Sequence, residues 1–251
     1  QQSIPDSGQG AEMIYLTSDP HGKFRNILDF LAYGPATSQD LLIILGDAGL
    51  NYDAEPESGL RRKAPINSFG VPILCIQGNH ELRPEHIPAY REISWHGGTV
   101  WQEPKYPNLL FAKDGEVYEV EGRKLLICGG AYTVFKEYRI ARGLPWFYDE
   151  QPSAEIKARV ERALARQNWQ QDVILTHTCP TKFVPKEKFI RGVDQSTVDT
   201  STEDWLDWIE DRTEYHAWFC GHWHIEKSVG NFRFVYKDIF PLEPPKHLHL
   251  L

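Results

Sequence analysis

The residues able to do chemistry fall into five short motifs that lie far apart along the chain. Each motif follows a run of apolar residues and contains aspartate, asparagine or histidine. The motifs are Ser18-Asp19-Pro20-His21-Gly22, Gly46-Asp47, Gly78-Asn79-His80-Glu81, Thr176-His177-Thr178 and Gly221-His222-Trp223-His224. Their oxygen and imidazole donors suit divalent ions of the manganese, iron and zinc type. Two such ions about 3.5–4 Å apart, bridged by a carboxylate, stabilise the attacking and leaving oxygens of a displacement at phosphorus. The set therefore predicts a two-metal hydrolytic site.

Several of these residues have an ordinary structural interpretation when taken singly. Asp19 fits a helix N-cap with His21 as a bystander, and Asp47 fits a turn cap. His177 follows four apolar residues and equally fits a core histidine satisfied by a backbone hydrogen bond. The order of the motifs and their positions at strand ends carry the prediction.

The other two motifs are more specific. Asn79 offers an amide oxygen, a weak ligand normally found beside stronger ones, and His80 would point into the same cleft. His222 and His224 are two residues apart, which places them on one face of an extended segment. The remaining histidines lack such contexts and are interpreted as surface or structural residues: His86, His96, His216, His247 and His249.

Charge and composition limit the compartment and the partners. The 251-residue chain has 27 basic and 35 acidic residues, a net charge of −8, so we do not expect a long nucleic-acid duplex as partner. No apolar run approaches the roughly 18 residues of a membrane span, and no charged-then-apolar leader precedes the first strand. The four cysteines show no paired spacing and fit reduced, buried thiols. These features predict a cytoplasmic protein without membrane contact.

The boundaries of the domain follow from composition. Residues 1–12 are polar and aperiodic, and Met13 is the only methionine, so we interpret 1–12 as a cloning remnant or flexible tail. The rest contains neither repeats nor a convincing linker. A single domain over residues 13–251 is therefore expected.

The apolar pattern predicts alternating strands and helices. Strands are expected at 14–18, 41–45, 71–76, 99–101, 109–112, 173–176 and 218–220, with a hairpin over 117–120 and 125–128 and a last strand at 231–236. Helices are expected after Gly22, from Pro152 to Asn168 with Ser153 as N-cap, and from Ser201. The candidate ligands then lie at the carboxyl ends of strands, where open α/β sheets bind their ligands.

Taken together, the five motifs resemble the signature set of the calcineurin-like metallophosphoesterase superfamily over residues 14–224. Features between Gly129 and Pro180 resemble uncharacterised bacterial and phage members. The resemblance implies an α/β fold, a four-layer α/β sandwich of two mixed β-sheets flanked by helices. It implies that one ion is bound by Asp19, His21 and His224. It also implies that Asp47 bridges the two ions and that the other ion is bound by Asn79, His177 and His222. His80 would be a general acid or phosphate contact without binding metal.

One departure from the superfamily pattern concerns the basic phosphate contact. Its phosphoprotein phosphatases continue after the bridging aspartate with an Asp-Arg pair, whereas Asp47 is followed by Ala48-Gly49-Leu50-Asn51-Tyr52. We expect the contact in a loop over 136–148, with Arg139 as first choice because it follows Gly130 at a distance that allows a turn over the site. An ordinary surface loop with solvated arginines and an inward-packed Trp146 is the alternative.

The function that follows is hydrolysis of a phosphate mono- or diester by a hydroxide that bridges two divalent ions (manganese, iron, zinc or similar), with His80 assisting the leaving oxygen. The substrate would be a small-molecule or nucleotide phosphate ester. Two other hypotheses are a metal-poor interaction scaffold of the same fold and a structural protein with one metal ion. The sequence does not specify the substrate, the preference for mono- or diesters, the metal or the oligomeric state.

Overall fold

The structure is a computed structural model that describes residues 13–53, 56–189 and 191–242. The interpretation of residues 1–12 falls outside this part of the chain, as do His247 and His249. Five helices are present in it: α1 (Arg25–Tyr33), α2 (Pro56–Asn67), α3 (Lys136–Ala141), α4 (Ala154–Arg166) and α5 (Ser201–Glu210). No helix within the described ranges has the length and apolar character needed to cross a membrane.

The strands number thirteen over the same residues. They are β1 (Ile14–Thr17), β2 (Leu41–Ile44), β3 (Ile73–Cys75), β4 (Arg91–Trp95), β5 (Gly98–Gln102), β6 (Leu109–Ala112), β7 (Val117–Val120), β8 (Arg123–Cys128), β9 (Gln170–Thr176), β10 (Glu214–Cys220), β11 (Lys227–Val229), β12 (Phe232–Phe234) and β13 (Phe240–Pro241).

These strands form two mixed sheets. The first has the order β13-β1-β2-β3-β6-β5-β4 and the second has the order β11-β12-β10-β9-β8-β7. Strands β1, β2, β3 and β6 are parallel, and so are β8, β9, β10 and β12. The antiparallel strands lie at the sheet edges, including the predicted β7–β8 hairpin.

Successive side chains along each strand point to opposite faces of its sheet, which explains how the layers pack. In β2, Leu41 and Ile43 face the second sheet, while Leu42 and Ile44 face the helices on the outer side. The inner faces of both sheets form one core, and each outer face packs against helices. Helix α1 contributes Ile27 and Leu31 to the first outer layer, and α4 and α5 cover the second sheet. The result is the four-layer sandwich expected from the resemblance.

The fold departs from the sequence prediction in several elements, and two strands, β4 and β11, were not predicted at all. Helix α2 was not predicted because Gly59 and Pro65 interrupt its pattern, yet the chain remains helical through Pro65. The stretch 136–148, expected to be a loop, begins with the short helix α3, so that prediction was wrong over Lys136–Ala141. The strand expected at 231–236 is not the last, because β13 follows and pairs with β1.

Candidate metal centre

The carboxyl ends of the parallel strands from both sheets meet at one edge of the sandwich. Backbone hydrogen bonds hold the loops there together: the amide of Asp19 donates to the carbonyl of Gly46 at 3.2 Å, and that of His21 to Asp47 at 2.9 Å. The amide of Gly221 donates to the carbonyl of His177 at 3.0 Å. Side chains distant in sequence are therefore fixed in one cleft.

One cluster of candidate ligands contains Asp19, His21 and His224. Oδ1 of Asp19 lies 3.5 Å from Nε2 of His224 and 3.9 Å from Nε2 of His21. The two Nε2 atoms face each other at 3.0 Å. Asp19 is fully buried, whereas the two imidazoles are partly exposed, so this cluster opens to solvent.

A second cluster is more deeply buried and contains Asp47, Asn79, His177 and His222. Oδ1 of Asn79 lies 3.0 Å from Nε2 of His177 and 3.1 Å from Nδ1 of His222. Oδ2 of Asp47 lies 3.6 Å from Nε2 of His177. The same carboxylate oxygen is 3.8 Å from Nδ1 of His21 in the first cluster. Asp47 therefore lies between the two clusters, as a bridging ligand would.

Two observations show that these donors fit a cation. Oδ1 of Asp19 is buried and has no hydrogen-bond donor, which is costly for a carboxylate oxygen. Nδ1 of His177 lies 2.7 Å from the carbonyl of Leu45 and must donate to it. Nε2 is then the ring atom that faces the oxygens of Asn79 and Asp47. In the protein without metal this atom carries a proton, and a divalent ion bound there would take the place of that proton.

The backbone at the site is held in an unusual conformation. Asp47 has φ of 47°, and His222 has φ of 66°, both in the left-handed region. Three further candidate ligands share this conformation: Asp19, His21 and His224. Each such residue costs on the order of 1–3 kcal/mol and persists only where the surrounding structure enforces it. The concentration of strain on the candidate ligands supports a functional role for this edge.

Burial and charge shift the pKa values of the imidazoles in opposite directions. Burial disfavours the charged form of His177, but the Asp47 carboxylate outweighs it and raises the His177 pKa to about 9. Burial lowers the pKa of His222 to about 3. The Asp47 carboxyl resists protonation, because His177 and the other imidazoles outweigh the effect of burial and lower its pKa. Asp47 therefore remains anionic and available to a cation.

His80 lies at the rim of the same cleft. Its amide donates to Oδ1 of Asp47 at 2.8 Å, and its ring centroid is 5.9 Å from that of His21. Burial lowers the pKa of His80 to about 4, although the Asp47 carboxylate partly offsets this effect, so the ring is neutral at pH 7 unless a further anion binds beside it. Its Nε2 lies 3.3 Å from Nδ2 of Asn79, so His80 adjoins the second cluster, but it is not among the metal-ligand candidates.

Arg139 lies on helix α3, in a stretch where the sequence predicts a loop. Its Nε donates to the carbonyl of Pro145 at 2.7 Å, and its Nη2 donates to the hydroxyl of Tyr52 at 3.1 Å. The positive charge of Arg139 contributes to the lowered pKa of His80, after burial. Trp146 is half-buried, and Nζ of Lys136 lies 4.5 Å from its ring centroid.

Three supporting residues were given no role from the sequence. The hydroxyl of Ser18 donates to Oδ2 of Asp19 at 2.5 Å. Nδ2 of Asn79 donates to the hydroxyl of Thr133 at 2.8 Å, which directs the amide oxygen to the histidines. Oε1 of Glu81 accepts from the amides of Gly78 and Ala48, and burial raises the pKa of Glu81 to about 8. Ser18 and Glu81 each belong to one of the five motifs, whereas nothing in the sequence marked Thr133.

The other described histidines lie outside both clusters. His86 pairs with Asp149 at 2.9 Å, and His216 lies 3.3 Å from Asp172. Nδ1 of His96 lies 3.0 Å from the carbonyl of Glu119, in the turn between β4 and β5. The histidines that follow directly after predicted strands therefore lie in the clusters or beside them, and the other described histidines do not.

Comparison with known proteins identifies the family of the chain. The sequence profile of the calcineurin-like phosphoesterase family matches residues 13–226, so the chain belongs to that family. No curated protein sequence matches the chain. Among solved structures, TT1561 of Thermus thermophilus is similar at 14% identity, over 89% of this chain and 87% of that one, with a TM-score of 0.51. The phosphopantetheinyl hydrolase of Mycobacterium tuberculosis is 18% identical over 91% of each chain, with a TM-score of 0.48.

Proposed function

We propose that this protein is a metal-dependent phosphoric ester hydrolase that uses two divalent ions. The observation that carries the proposal is the position of Asp47, whose Oδ2 lies within 4 Å of an imidazole in each ligand cluster. Asp19, His21 and His224 would hold one ion, and Asn79, His177 and His222 the other, with Asp47 shared. Ions bound there would supply Lewis-acid stabilisation of the phosphoryl oxygens and a nucleophilic hydroxide near neutral pH.

The protein's own groups orient the ligands and the ester. The Leu45 carbonyl fixes the tautomer of His177, and Thr133 fixes the orientation of Asn79. We assign to His80 the donation of a proton or hydrogen bond to the departing oxygen. The phosphate itself supplies the negative charge that favours protonation of this otherwise neutral ring.

Arg139 is the proposed basic contact of the phosphate. Its guanidinium is oriented by the Pro145 carbonyl and the Tyr52 hydroxyl, which leaves Nη1 available for a phosphate oxygen. This contact would serve in place of the arginine that follows the bridging aspartate in phosphoprotein phosphatases. A reducing, cytoplasmic location is also proposed, supported by the four buried cysteines, which are all free thiols.

A hydrolysis panel tests the proposal. The protein is freed of metal, reloaded with Mn²⁺, and assayed on p-nitrophenyl phosphate and bis-p-nitrophenyl phosphate. Turnover of at least one ester that requires the ion and is lost in Asp47→Asn is expected, and the preferred ester separates monoesterase from diesterase. No turnover of either ester with Mn²⁺, Fe²⁺ or Zn²⁺ would favour the interaction scaffold, although none of its seven ligand positions has been lost.

A further inference from the structure

Beside the metal centre lies a group of three residues, none of which is a metal-ligand candidate. We call Tyr52, Arg62 and Arg139 the arginine–tyrosine cluster. Arg139 donates from Nη2 to the Tyr52 hydroxyl at 3.1 Å, and the guanidinium carbon of Arg62 lies over the Tyr52 ring, 5.6 Å from its centroid. The Tyr52 ring also makes an edge contact with the buried Phe147, with centroids 6.5 Å apart. Two cations are thus held on one anchored ring.

Arg62 is close to the first ligand cluster through Gly22, the residue after His21. A Cβ built on Gly22 would lie 4.0 Å from Nε of Arg62 and 3.8 Å from the carbonyl oxygen of Gly49. The loop from Asp47 to Tyr52 therefore packs against the His21 loop, with Arg62 beside it. At its other end, the charge of Arg139 contributes, after burial, to the lowered pKa of His80.

The cluster retains unused hydrogen-bonding capacity. A guanidinium has five N–H donors. Arg62 forms an ion pair with Asp53, with Nη1 and Oδ2 3.4 Å apart, and both side chains are about one-third exposed. Such a partly exposed pair contributes little stability. The two arginines and Asp53 together carry a net charge of +1, so an additional anion at the cluster would be attracted.

We propose that the arginine–tyrosine cluster binds a second anionic group of the substrate, a carboxylate or phosphate on the leaving-group side of the scissile phosphate. This inference rests on the proposed phosphoesterase function. It narrows the substrate class to phosphate esters whose alcohol part is itself negatively charged. Arg139 would contact the scissile phosphate, while Arg62, farther along the cluster, would bind the second group.

The test compares two esters that are matched in size and differ in charge. 4-Carboxyphenyl phosphate carries the second anion, and 4-carbamoylphenyl phosphate replaces it by a neutral amide; methyl diesters of both are used if the panel shows a diesterase. Each is assayed with the Mn²⁺-loaded wild type, Arg62→Ala and Arg62→Lys. Arg61→Ala is the matched control, because Arg61 is the exposed neighbour on the same helix. Manganese content and circular dichroism confirm that the variants are folded and loaded.

We expect the wild type and Arg61→Ala to favour the carboxylate ester by about tenfold or more in kcat/KM, as a hydrogen bond to a charged group allows. Arg62→Ala should lose this preference while retaining the kcat/KM for the carbamoyl ester within about twofold, and Arg62→Lys should restore part of it. Equal kcat/KM for both esters in the wild type, or a preference that survives in Arg62→Ala, overturns the inference alone. If neither ester is hydrolysed, the proposed function is overturned together with this inference.

Discussion

The imidazole of His177 occupies the space that a side chain on Gly46 would need. A Cβ built on Gly46 would overlap Nδ1 of His177, and the φ of Gly46 is +97°. Gly221 is equally constrained, because its Cβ would overlap the hydroxyl of Ser18 and approach Oδ2 of Asp19 to 2.5 Å. These motif glycines are therefore explained by ligand side chains from one sheet that pack against the backbone of the other.

Gly46→Ala should consequently destabilise the protein and disturb the metal centre. The methyl group displaces His177, and the alanine is strained at positive φ, so we expect a loss of about 2–4 kcal/mol in the free energy of unfolding. Urea unfolding of the metal-free protein measures this change. Metal analysis should also show that at least one ion is lost.

Gly122→Ala provides the matched control for Gly46→Ala. Gly122 lies in the turn between β7 and β8 with φ of +66°, and nothing lies within 4 Å of its Cβ position. Its substitution should cost only about 1–2 kcal/mol from backbone strain and should leave the metal content unchanged. Equal losses in the two variants would show that the contact with His177 has no effect of its own.

Removal of a single candidate ligand should be visible in the metal content. The wild type should bind two divalent ions, and His222→Ala should lose at least one, because Nδ1 of His222 is among the donors around Asn79. His216→Ala is the control, since His216 lies on β10, the strand that leads to His222, and its side chain is 70% exposed. Elemental analysis after dialysis measures both. One ion or fewer in the wild type, with no change in His222→Ala, would contradict the two-metal site.

A residue of this site could be predicted from the sequence where its position depends on a local pattern, and could not where it depends on contacts between distant segments. Asp47 and His222 were predictable because apolar strands end directly before them, a local pattern with a fixed consequence for position in a parallel sheet. Thr133 and Tyr52 were not, since nothing near them in sequence indicates that they contact Asn79 and Arg139. Their roles depend on how the loops pack in three dimensions.

The same distinction applies to the secondary structure. Helix α4 was predicted with its N-cap, and Ser153 indeed accepts a hydrogen bond from the amide of Ile156 at 3.3 Å. Helix α3 escaped prediction because none of its residues is buried, so no apolar periodicity marks it. Strand β13 has only two residues and depends on its pairing with β1, which the local sequence does not encode.

Substitution of His80 should affect turnover according to the leaving group. His80→Gln should retain both ions, because its side chain belongs to neither ligand cluster. It should lower kcat by about 10²–10⁴-fold for alkyl phosphate esters, the range of general acid–base assistance. The loss should be much smaller for p-nitrophenyl esters, whose leaving group scarcely needs a proton. Equal losses for both would assign His80 to phosphate binding instead of proton transfer.

Arg139→Ala should weaken phosphate binding without loss of metal. Its guanidinium contacts Tyr52 and influences His80, but it is not among the metal-ligand candidates. A charge-assisted contact contributes about 1.5–3 kcal/mol, so kcat/KM for p-nitrophenyl esters should fall by about tenfold to a hundredfold. Arg142→Ala is the control, because Arg142 follows the same helix, is exposed and contacts the exposed Tyr138 ring. Steady-state kinetics with parallel metal analysis measure both variants. Wild-type kinetics in Arg139→Ala would show that Arg139 does not contact the phosphate and that another residue makes this contact.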